Sequence, residues 1–252
     1  MHGVSDPRSV EFTGHGGQSI GGLFVAPPTQ TRAPAVVLVH EVFGLDAHMR
    51  DVALRFAREG FAVLAPDLWS RAGERAAEPE ATGEQVRAAV RALPDRRVLG
   101  DLEGALVWLE KRAEVDGSKL AAVGFCMGAN HAFQLGCASR RVRAVVDFYG
   151  RLVYAELDAA KPIQPLELVF NLSVPVLCLF GERDASIPRE HVERLRELLT
   201  QGAKHFEIVT YPSAGHGFFN DARPNFVESA ARDAWQRTLA FLRETLEVEK
   251  SE

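Results

Sequence analysis

A cysteine lies between two closely spaced glycines in the pattern Gly-x-Cys-x-Gly, formed by Gly124, Cys126 and Gly128. This is the nucleophile-elbow pattern with sulfur in place of a hydroxyl. The glycines leave room for a tight turn from a strand into a helix, and a helix N-terminus favours a thiolate. The pattern therefore predicts that Cys126 is a reactive nucleophile. The alternative is a cysteine that merely fills space in the core.

Acidic residues and a histidine follow this cysteine, each just after an apolar run. Glu182 and Asp184 lie in Gly-Glu-Arg-Asp, and His216 lies in Ser-Ala-Gly-His-Gly. The order nucleophile, acid, histidine is that of the α/β-hydrolases. His216 would take the thiol proton and later activate water, while a carboxylate holds its tautomer. The residues alone leave Glu182 and Asp184 open as that acid.

Short apolar runs alternate with helical patterns along most of the chain. The predicted strands are 10–13, 21–26, 35–40, 61–65, 120–123, 142–148, 174–180 and 206–211, and the predicted helices are 46–60, 95–112, 127–138, 188–199 and 224–246. This alternation predicts an α/β fold of three layers, with a mostly parallel sheet and an antiparallel N-terminal hairpin. Cys126, Asp184 and His216 follow predicted strands, where function lies in such sheets. Segments 71–85 and 151–173 are predicted to be irregular loops over an active site.

The composition is that of an ordinary globular protein. The 252 residues carry a net charge of −5, so nucleic acid is not an expected partner. No apolar run is long enough to span a membrane, and the polar segment 1–7 does not resemble a secretory signal. Three cysteines and no export signal predict a reducing, cytoplasmic location. We further expect one domain over 1–252, with loose ends at 1–9 and 248–252, as a monomer or weak homodimer.

No metal or cofactor site is predicted from the motifs. The histidines show no paired ligand spacing, and the glycines beside Cys126 match neither a dinucleotide loop nor a P-loop. Cys137 and Cys178 lie inside a predicted helix and a predicted strand, where burial is the usual role of a cysteine.

Five short motifs follow one another in order: His-Glu-Val-Phe-Gly-Leu from His40, Pro-Asp-Leu from Pro66, Gly-Phe-Cys-Met-Gly from Gly124, Gly-Glu-Arg-Asp from Gly181 and Gly-His-Gly-Phe from Gly215. Together they resemble the dienelactone hydrolase family, which includes the carboxymethylenebutenolidases, over nearly the whole chain. The resemblance implies an α/β-hydrolase fold and a cysteine-dependent hydrolase of small esters or lactones that forms an acyl-thioester intermediate and needs no cofactor. Alternatives are a general carboxylesterase, a thioesterase, or a non-catalytic scaffold that senses a small molecule or binds a partner.

The same resemblance implies further site residues. Its spacing favours Asp184 over Glu182 as the acid. Glu41 matches a family glutamate that helps to activate the cysteine, and a carboxylate directly after an apolar strand needs a partner or a task. A carboxylate turned to solvent is the alternative for Glu41. The backbone N–H groups of Val42 and Met127 match the oxyanion hole of the family.

The substrate-binding residues are less well defined by the pattern. Phe43, Trp69 and Tyr149 could line a pocket, although aromatic residues at strand ends usually serve packing. Dienelactone hydrolases bind a substrate carboxylate with arginines, one of them four residues after the histidine, where this chain has Asn220. The replacement candidates are Arg71, Arg75, Arg87 and Arg223. Because Asn220 is uncharged, we expect neutral esters to be hydrolysed at least as well as carboxylated lactones, and Asn220→Arg to raise activity on the latter.

Overall fold

The computed structural model describes residues 6–28, 32–71, 74–78 and 80–248. One sheet contains the strands β1 (Arg8–Thr13), β2 (Ser19–Val25), β3 (Ala33–Val39), β4 (Ala62–Pro66), β5 (Val115–Phe125), β6 (Val142–Phe148), β7 (Val176–Gly181) and β8 (Phe206–Tyr211). The α-helices are α1 (Ala47–Arg58), α2 (Gly83–Ala92), α3 (Asp95–Glu110), α4 (Met127–Ala138), α5 (Arg189–Gln201) and α6 (Glu228–Thr245).

The strands are arranged in the order β1-β2-β4-β3-β5-β6-β7-β8 across the sheet. β1 and β2 form an antiparallel hairpin and β2 is antiparallel to β4, whereas all other neighbours are parallel. The predicted fold class is therefore confirmed. Val36–Val39 in β3 and Ala121–Val123 in β5 have no exposed surface, as expected of central strands that are covered on both faces.

The parallel strands all end at the same edge of the sheet. The candidate site residues follow those ends, with Glu41 after β3, Cys126 after β5, Tyr149 after β6, Asp184 after β7 and His216 after β8. Residues that are up to 175 positions apart in the chain are brought together because parallel strands point their carboxyl ends the same way.

Helix α2 is the largest departure from the predicted elements, because part of it falls in the segment expected to be a loop. It begins at a capping box in which the Thr82 side chain accepts from the Gln85 N–H and the Gln85 side chain accepts from the Thr82 N–H. None of its ten residues is fully buried, and only a short apolar stripe of Val86, Ala89 and Val90 packs against the core. A second departure is a short 3₁₀ helix, Pro165–Asn171, in the other predicted loop.

The remaining differences concern the ends of elements. β5 begins at Val115, five residues before the predicted start. The prediction begins too late because the first residues of the strand are polar and typical of a turn. β1 begins at Arg8, so the expectation that residues 8 and 9 are loose is wrong: both pair with β2. Residues 1–5 and 249–252 of the expected loose ends lie outside the described residues. Among the helices of the described ranges, none is both long enough and apolar enough to cross a membrane.

Candidate active site

Cys126 lies at a sharp turn between β5 and α4. Its backbone has φ 53° and ψ −115°, a conformation that residues with a Cβ rarely adopt. The turn requires close backbone packing, because a Cβ on Gly124 would lie 2.2 Å from the carbonyl oxygen of Gly128. A Cβ on Gly128 would lie 2.3 Å from the carbonyl oxygen of Val39. The two glycines thus permit the turn that holds the thiol at the N-terminus of α4.

Cys126, His216 and Asp184 form a continuous chain of polar contacts. His216 Nε2 lies 3.0 Å from Cys126 Sγ, and His216 Nδ1 lies 2.7 Å from Asp184 Oδ2. Ser186 donates to Asp184 Oδ1 from its hydroxyl at 2.6 Å and from its backbone N–H at 2.8 Å. Ser186 therefore fixes one oxygen of the carboxylate, and the other oxygen accepts from the imidazole.

Glu182 does not take part in this chain. Its side chain is exposed and accepts a hydrogen bond from the Thr210 hydroxyl at 2.9 Å. The Asp184 side chain, by contrast, is 1% exposed. Of the two carboxylates that the residues alone leave open, Asp184 is the one that contacts the histidine.

The charged groups in the series of contacts Cys126–His216–Asp184 stabilise one another. Burial alone lowers the pKa of His216, but the Cys126 sulfur and the Asp184 carboxylate outweigh it and place that pKa well above its ordinary value. Burial alone raises the pKa of Asp184, but His216 and Ser186 outweigh it and hold the pKa below its ordinary value. The protonated imidazole of His216 is thus stabilised between the Asp184 carboxylate and the Cys126 sulfur.

Glu41 is buried at the end of β3, and two neutral groups hold its carboxylate. The Asn220 amide donates to Oε2 at 2.9 Å, and the Tyr149 hydroxyl donates to Oε1 at 3.3 Å. Glu41 is 4% exposed, which excludes a carboxylate turned to solvent. The Tyr149 ring packs edge-on against the His216 ring, with 5.2 Å between the centroids. Tyr149 therefore connects Glu41 to the catalytic chain.

Val42 and Met127 follow the two central neighbouring strands, β3 and β5. Within the described part of the chain, neither of their backbone N–H groups donates to a backbone carbonyl outside the regular elements. His40 holds the segment before Val42: its Nε2 accepts from the Leu68 N–H, so its Nδ1 carries the proton that is donated to the Glu41 carbonyl. Two N–H groups on rigid segments are what an oxyanion hole requires.

A cavity of about 590 Å³ opens beside the thiol. Cys126, Met127, Ser186 and His216 line one side of it, and Asn130 lines it one turn further along α4. The opposite walls come from α2 and from the loop after β6. The two segments that the sequence leaves irregular therefore enclose the space next to the nucleophile.

Four basic side chains line these walls. Arg91 is paired with Glu156 and Asp158 at the mouth, and the buried Lys161 is paired with Asp95. Arg87 and Arg151 also line the cavity, and neither forms an ion pair with any residue that the structure describes. Among those residues no three His, Cys, Asp or Glu side chains are grouped as metal ligands would be.

A model of the dienelactone hydrolase family matches residues 20–246 of this chain. The chain belongs to that family.

Individual members support the assignment. A protein of Yersinia pestis named "Putative carboxymethylenebutenolidase" is 37% identical over 218 residues, which cover 86% of this chain and 80% of that protein. A Bradyrhizobium protein named "Probable 2-oxo-3-(5-oxofuran-2-ylidene)propanoate lactonase" is 32% identical and is matched over 91% of both chains. The crystal structure of "Putative Dienelactone Hydrolase" from Klebsiella pneumoniae is 32% identical, with a TM-score of 0.87 over 95% of this chain and all of that one. These likenesses identify a dienelactone hydrolase-like enzyme with the α/β-hydrolase fold.

Of the residues that the sequence predicts to bind substrate, Arg87 lines the cavity, and the aromatic residues Phe43, Trp69 and Tyr149 do not. Tyr149 is completely buried, and Trp69 is 8% exposed. Phe43 packs under the guanidinium of Arg223, which lies 3.9 Å from the centre of the ring. Burial holds Tyr149 and Trp69, and Phe43 and Arg223 stack on one another, so a substrate contact for these four residues stays a prediction.

The other candidates for a carboxylate clamp are also engaged elsewhere. Arg71 forms two hydrogen bonds to the buried Asp101, at 2.6 and 2.7 Å. Arg75 lines a separate surface groove beside α2. Asn220 is 1% exposed and holds Glu41, so it does not face the cavity. An arginine at position 220 would first meet the buried Glu41, and the expected gain of Asn220→Arg on carboxylated substrates stays a prediction.

The cavity is also lined by residues that the sequence analysis does not single out, among them Ser186, Arg151, Asn130 and Tyr154. Ser186 is two residues after Asp184, the spacing of a side-chain-capped turn, and this signal was available. Arg151 follows the end of β6, which is a position where function is expected. Asn130 and Tyr154 carry no such signal, since only the packing of the loop after β6 on α4 places them in the cavity.

Proposed function

We propose that this chain hydrolyses small esters and lactones with Cys126 as nucleophile and an acyl-thioester as intermediate. The observation that carries the proposal is the contact of Cys126 Sγ with His216 Nε2 at 3.0 Å, at the side of an open cavity. Asp184 holds the opposite nitrogen of the same ring. This is the nucleophile, base and orienting acid of covalent acyl transfer.

The first half of the reaction forms the thioester. His216 takes the thiol proton, and the sulfur adds to the substrate carbonyl carbon. The carbonyl oxygen becomes an oxyanion, which the N–H groups of Val42 and Met127 stabilise by about 3 kcal/mol each. Collapse of this intermediate breaks the bond to the ester oxygen, and the imidazolium of His216 gives its proton to the leaving alkoxide. In a lactone the alcohol stays attached to the acyl chain.

The second half releases the acid. His216 removes a proton from water, and the resulting hydroxide adds to the thioester carbonyl. Collapse expels the Cys126 thiolate and leaves a carboxylic acid. Asp184 keeps His216 in the tautomer whose Nε2 faces the sulfur in both halves.

We assign Glu41 as an assisting group that promotes ionisation of the thiol. The Tyr149 side chain supports this role. Its hydroxyl donates to the buried Glu41 carboxylate, and its ring packs against the ring of His216. Glu41→Gln keeps the size of the side chain and can accept from Tyr149, but its NH₂ then faces the Asn220 NH₂, so the thermal midpoint of the variant is measured beside its reactivity. The variant is expected to alkylate more slowly at Cys126 with iodoacetamide near pH 7. An unchanged alkylation rate from pH 6 to 9 would leave Glu41 with a structural role alone.

We propose that the substrate carries a carboxylate that Arg87 and Arg151 bind. The two relatives described above are named for substrates that contain carboxy or propanoate groups, and both guanidinium groups line the cavity of this chain without an ion pair among the described residues. The expectation of a preference for neutral esters rests on the missing charge at Asn220, and Arg87 and Arg151 would supply that charge from another part of the cavity wall. The three free cysteines, with a catalytic thiol among them, favour the cytoplasm as the working compartment.

Mass spectrometry tests the thioester directly. The protein is mixed with a p-nitrophenyl ester, quenched in acid and digested, and the acyl group is expected on the peptide that contains Cys126. Prior alkylation with iodoacetamide is expected to prevent both labelling and release of p-nitrophenol. Hydrolysis that persists after complete alkylation of Cys126 would contradict a cysteine mechanism. Comparing ester, thioester and carboxylated lactone substrates then separates a general carboxylesterase, a thioesterase and a lactonase.

A further inference from the structure

The cavity beside Cys126 is long as well as large. Residues of α2 line it from Gly83, at the start of the helix, to Arg91, near its end. The rise of 1.5 Å per residue places these two residues about 12 Å apart along the helix axis. The volume of about 590 Å³ lies in the range that buries most of a drug-sized ligand. The cavity therefore extends along most of α2 and is not confined to the surroundings of the thiol.

Buried hydrogen bonds join the two walls of this cavity at the C-terminal end of α2. Lys161, from the loop after β6, lines the cavity with a side chain that is 2% exposed. Its Nζ donates to the Leu93 carbonyl at 2.8 Å and to Asp95 Oδ1 at 2.6 Å. The Asp95 N–H donates to the Ala160 carbonyl of the same loop at 2.9 Å. Leu93 caps α2, and breaking a buried ion pair is costly, so the walls keep their separation at this end whatever the size of the substrate.

Apolar residues contribute to both walls and to the side that holds the thiol. Val86 and Val90 are four residues apart on α2, so they are neighbours on one side of the helix, and both line the cavity. Ala88 lines it from the same helix, Ala155 from the loop after β6, and Met127 from the start of α4. A substrate that reaches these residues gains binding free energy by burying its own apolar surface.

A compact lactone ring does not use this length. An extended chain advances about 1.2 Å per bond, as the 3.3–3.6 Å spanned by the three backbone bonds of one amino-acid residue shows, so 12 Å accommodates about ten bonds. A five-membered ring crosses only a few of them. Because the walls are joined by buried bonds, they cannot close upon such a ring, and most of the apolar surface along α2 would stay in contact with water.

We propose that the substrate is an ester or lactone with an extended, largely apolar body that lies along Val86 and Val90 of α2. The inference rests on the proposed hydrolytic function of the same site and makes its substrate class more specific. The favoured compounds carry a medium-length alkyl or arylalkyl group on the acyl or the alcohol part. A carboxylate on the same molecule is compatible with this placement, because Arg87 lines the cavity next to Val86.

The first test compares two series of esters, each kept below the concentration at which it aggregates. One series lengthens the acyl part, from p-nitrophenyl acetate through butanoate and hexanoate to octanoate, and the other lengthens the alcohol part, from methyl to hexyl butanoate. In one series kcat/KM is expected to rise about tenfold for two added methylene groups, the effect of burying both. The series that rises shows which part lies along α2. Values that are flat or fall with length in both series would overturn the proposal.

Two tryptophan variants locate the gain. Ala155→Trp and Ala88→Trp each place a large ring at an exposed residue that lines the cavity, so the core is left intact. Both are expected to bring the ratio of kcat/KM for the long and the short ester of the rising series to about one. The controls Ala159→Trp, in the same loop, and Ala92→Trp, in α2, change exposed residues that do not line the cavity, and they are expected to keep the wild-type ratio. A wild-type ratio in both cavity variants, or an equal fall in the controls, would contradict the proposal.

A measurement that needs no turnover separates this proposal from the proposed function. Uncharged alkyl amides are used to protect Cys126 from iodoacetamide, and hexanamide is expected to protect at about a tenfold lower concentration than butanamide. This difference is expected to disappear in Ala155→Trp. Equal protection by both amides in the wild-type protein would overturn the extended body, whatever the outcome for hydrolysis. Release of p-nitrophenol that persists after complete alkylation of Cys126 would instead contradict the proposed function alone.

Discussion

The side of the cavity that holds Cys126, the proposed nucleophile, and the side formed by α2 and the loop after β6 are built in different ways. Cys126 and Asp184 follow the ends of β5 and β7, most of whose residues are buried, and His216 follows the partly exposed edge strand β8. Helix α2 has no buried residue, and exposed ion pairs of Arg91 with Glu156 and Asp158 connect it to the loop. Exposed ion pairs contribute little to stability, whereas buried apolar contacts contribute most of it. Catalytic geometry is therefore held rigidly, and the substrate-facing wall is free to vary.

This difference predicts that changes on the nucleophile side affect every substrate, while changes on the wall affect selected ones. Cys126→Ala is expected to lower kcat by on the order of 10⁶ for neutral and carboxylated substrates alike. The thermal midpoint should change little, because the thiol is only partly buried and alanine fits the elbow. A variant that keeps a tenth of wild-type activity on any substrate would contradict the assignment of the nucleophile.

Asp184→Asn is expected to have the next largest effect. The amide keeps the bonds to Ser186 but can present its NH₂ to His216, which favours the wrong tautomer and costs about 10⁴ in kcat. Glu182→Gln is the matched control, since Glu182 lies two residues away and contacts Thr210 instead. Steady-state kinetics on both variants decide between the two carboxylates. Equal losses in both would show that neither acts on His216 in particular.

Asp147, on the nucleophile side of the cavity, makes the stability of the protein depend on pH. It is buried at the end of β6, its Oδ1 accepts from the Gly150 N–H at 2.6 Å, and burial raises its pKa to about 7. The folded protein therefore binds one proton more than the unfolded chain between about pH 4 and pH 7, so stability is lost as the pH rises through this window. The loss attributable to Asp147 is at most about 4 kcal/mol.

Urea unfolding of wild type and Asp147→Asn measures this contribution. The amide still accepts from Gly150 but does not titrate, so the variant is expected to lose less stability than wild type between pH 4 and pH 7. The difference between the two curves isolates Asp147 from all other groups. Parallel curves across this range would show that the Asp147 carboxyl titrates as it does in the unfolded chain.

Arg151→Gln is expected to produce the smallest and most selective effect. Loss of a charge-assisted contact should lower kcat/KM for a carboxylated lactone by about 10- to 100-fold, and change that for its methyl ester by less than threefold. Arg183→Gln is the control, since Arg183 is an exposed arginine that does not line the cavity. Equal losses on the acid and on its methyl ester would show that Arg151 supports the structure of the site and does not bind the substrate carboxylate.

The sequence-based predictions are more accurate for the nucleophile side of the cavity than for the side formed by α2 and the loop after β6. The strands 142–148 and 206–211 and the helix 127–138 have the predicted bounds, because continuous apolar runs and the elbow glycines mark them clearly. The sequence analysis does not predict helix α2, because its apolar stripe is limited to Val86, Ala89 and Val90 and its start is marked by a capping box. The aromatic residues Phe43, Trp69 and Tyr149 were placed in the pocket because sequence position cannot show which way a side chain faces.

The sequence by itself determined the fold class, the family and the order of nucleophile, acid and histidine. Burial of apolar runs and the steric needs of glycine are local properties, and they can be read along the chain. Only the tertiary structure decided that Asp184 rather than Glu182 meets His216, that Asn220 holds Glu41, and that Arg151 and Asn130 line the cavity. These outcomes depend on distances between residues far apart in the chain and on which polar groups find partners once buried. Such distances and partners exist only after the strands have been brought together.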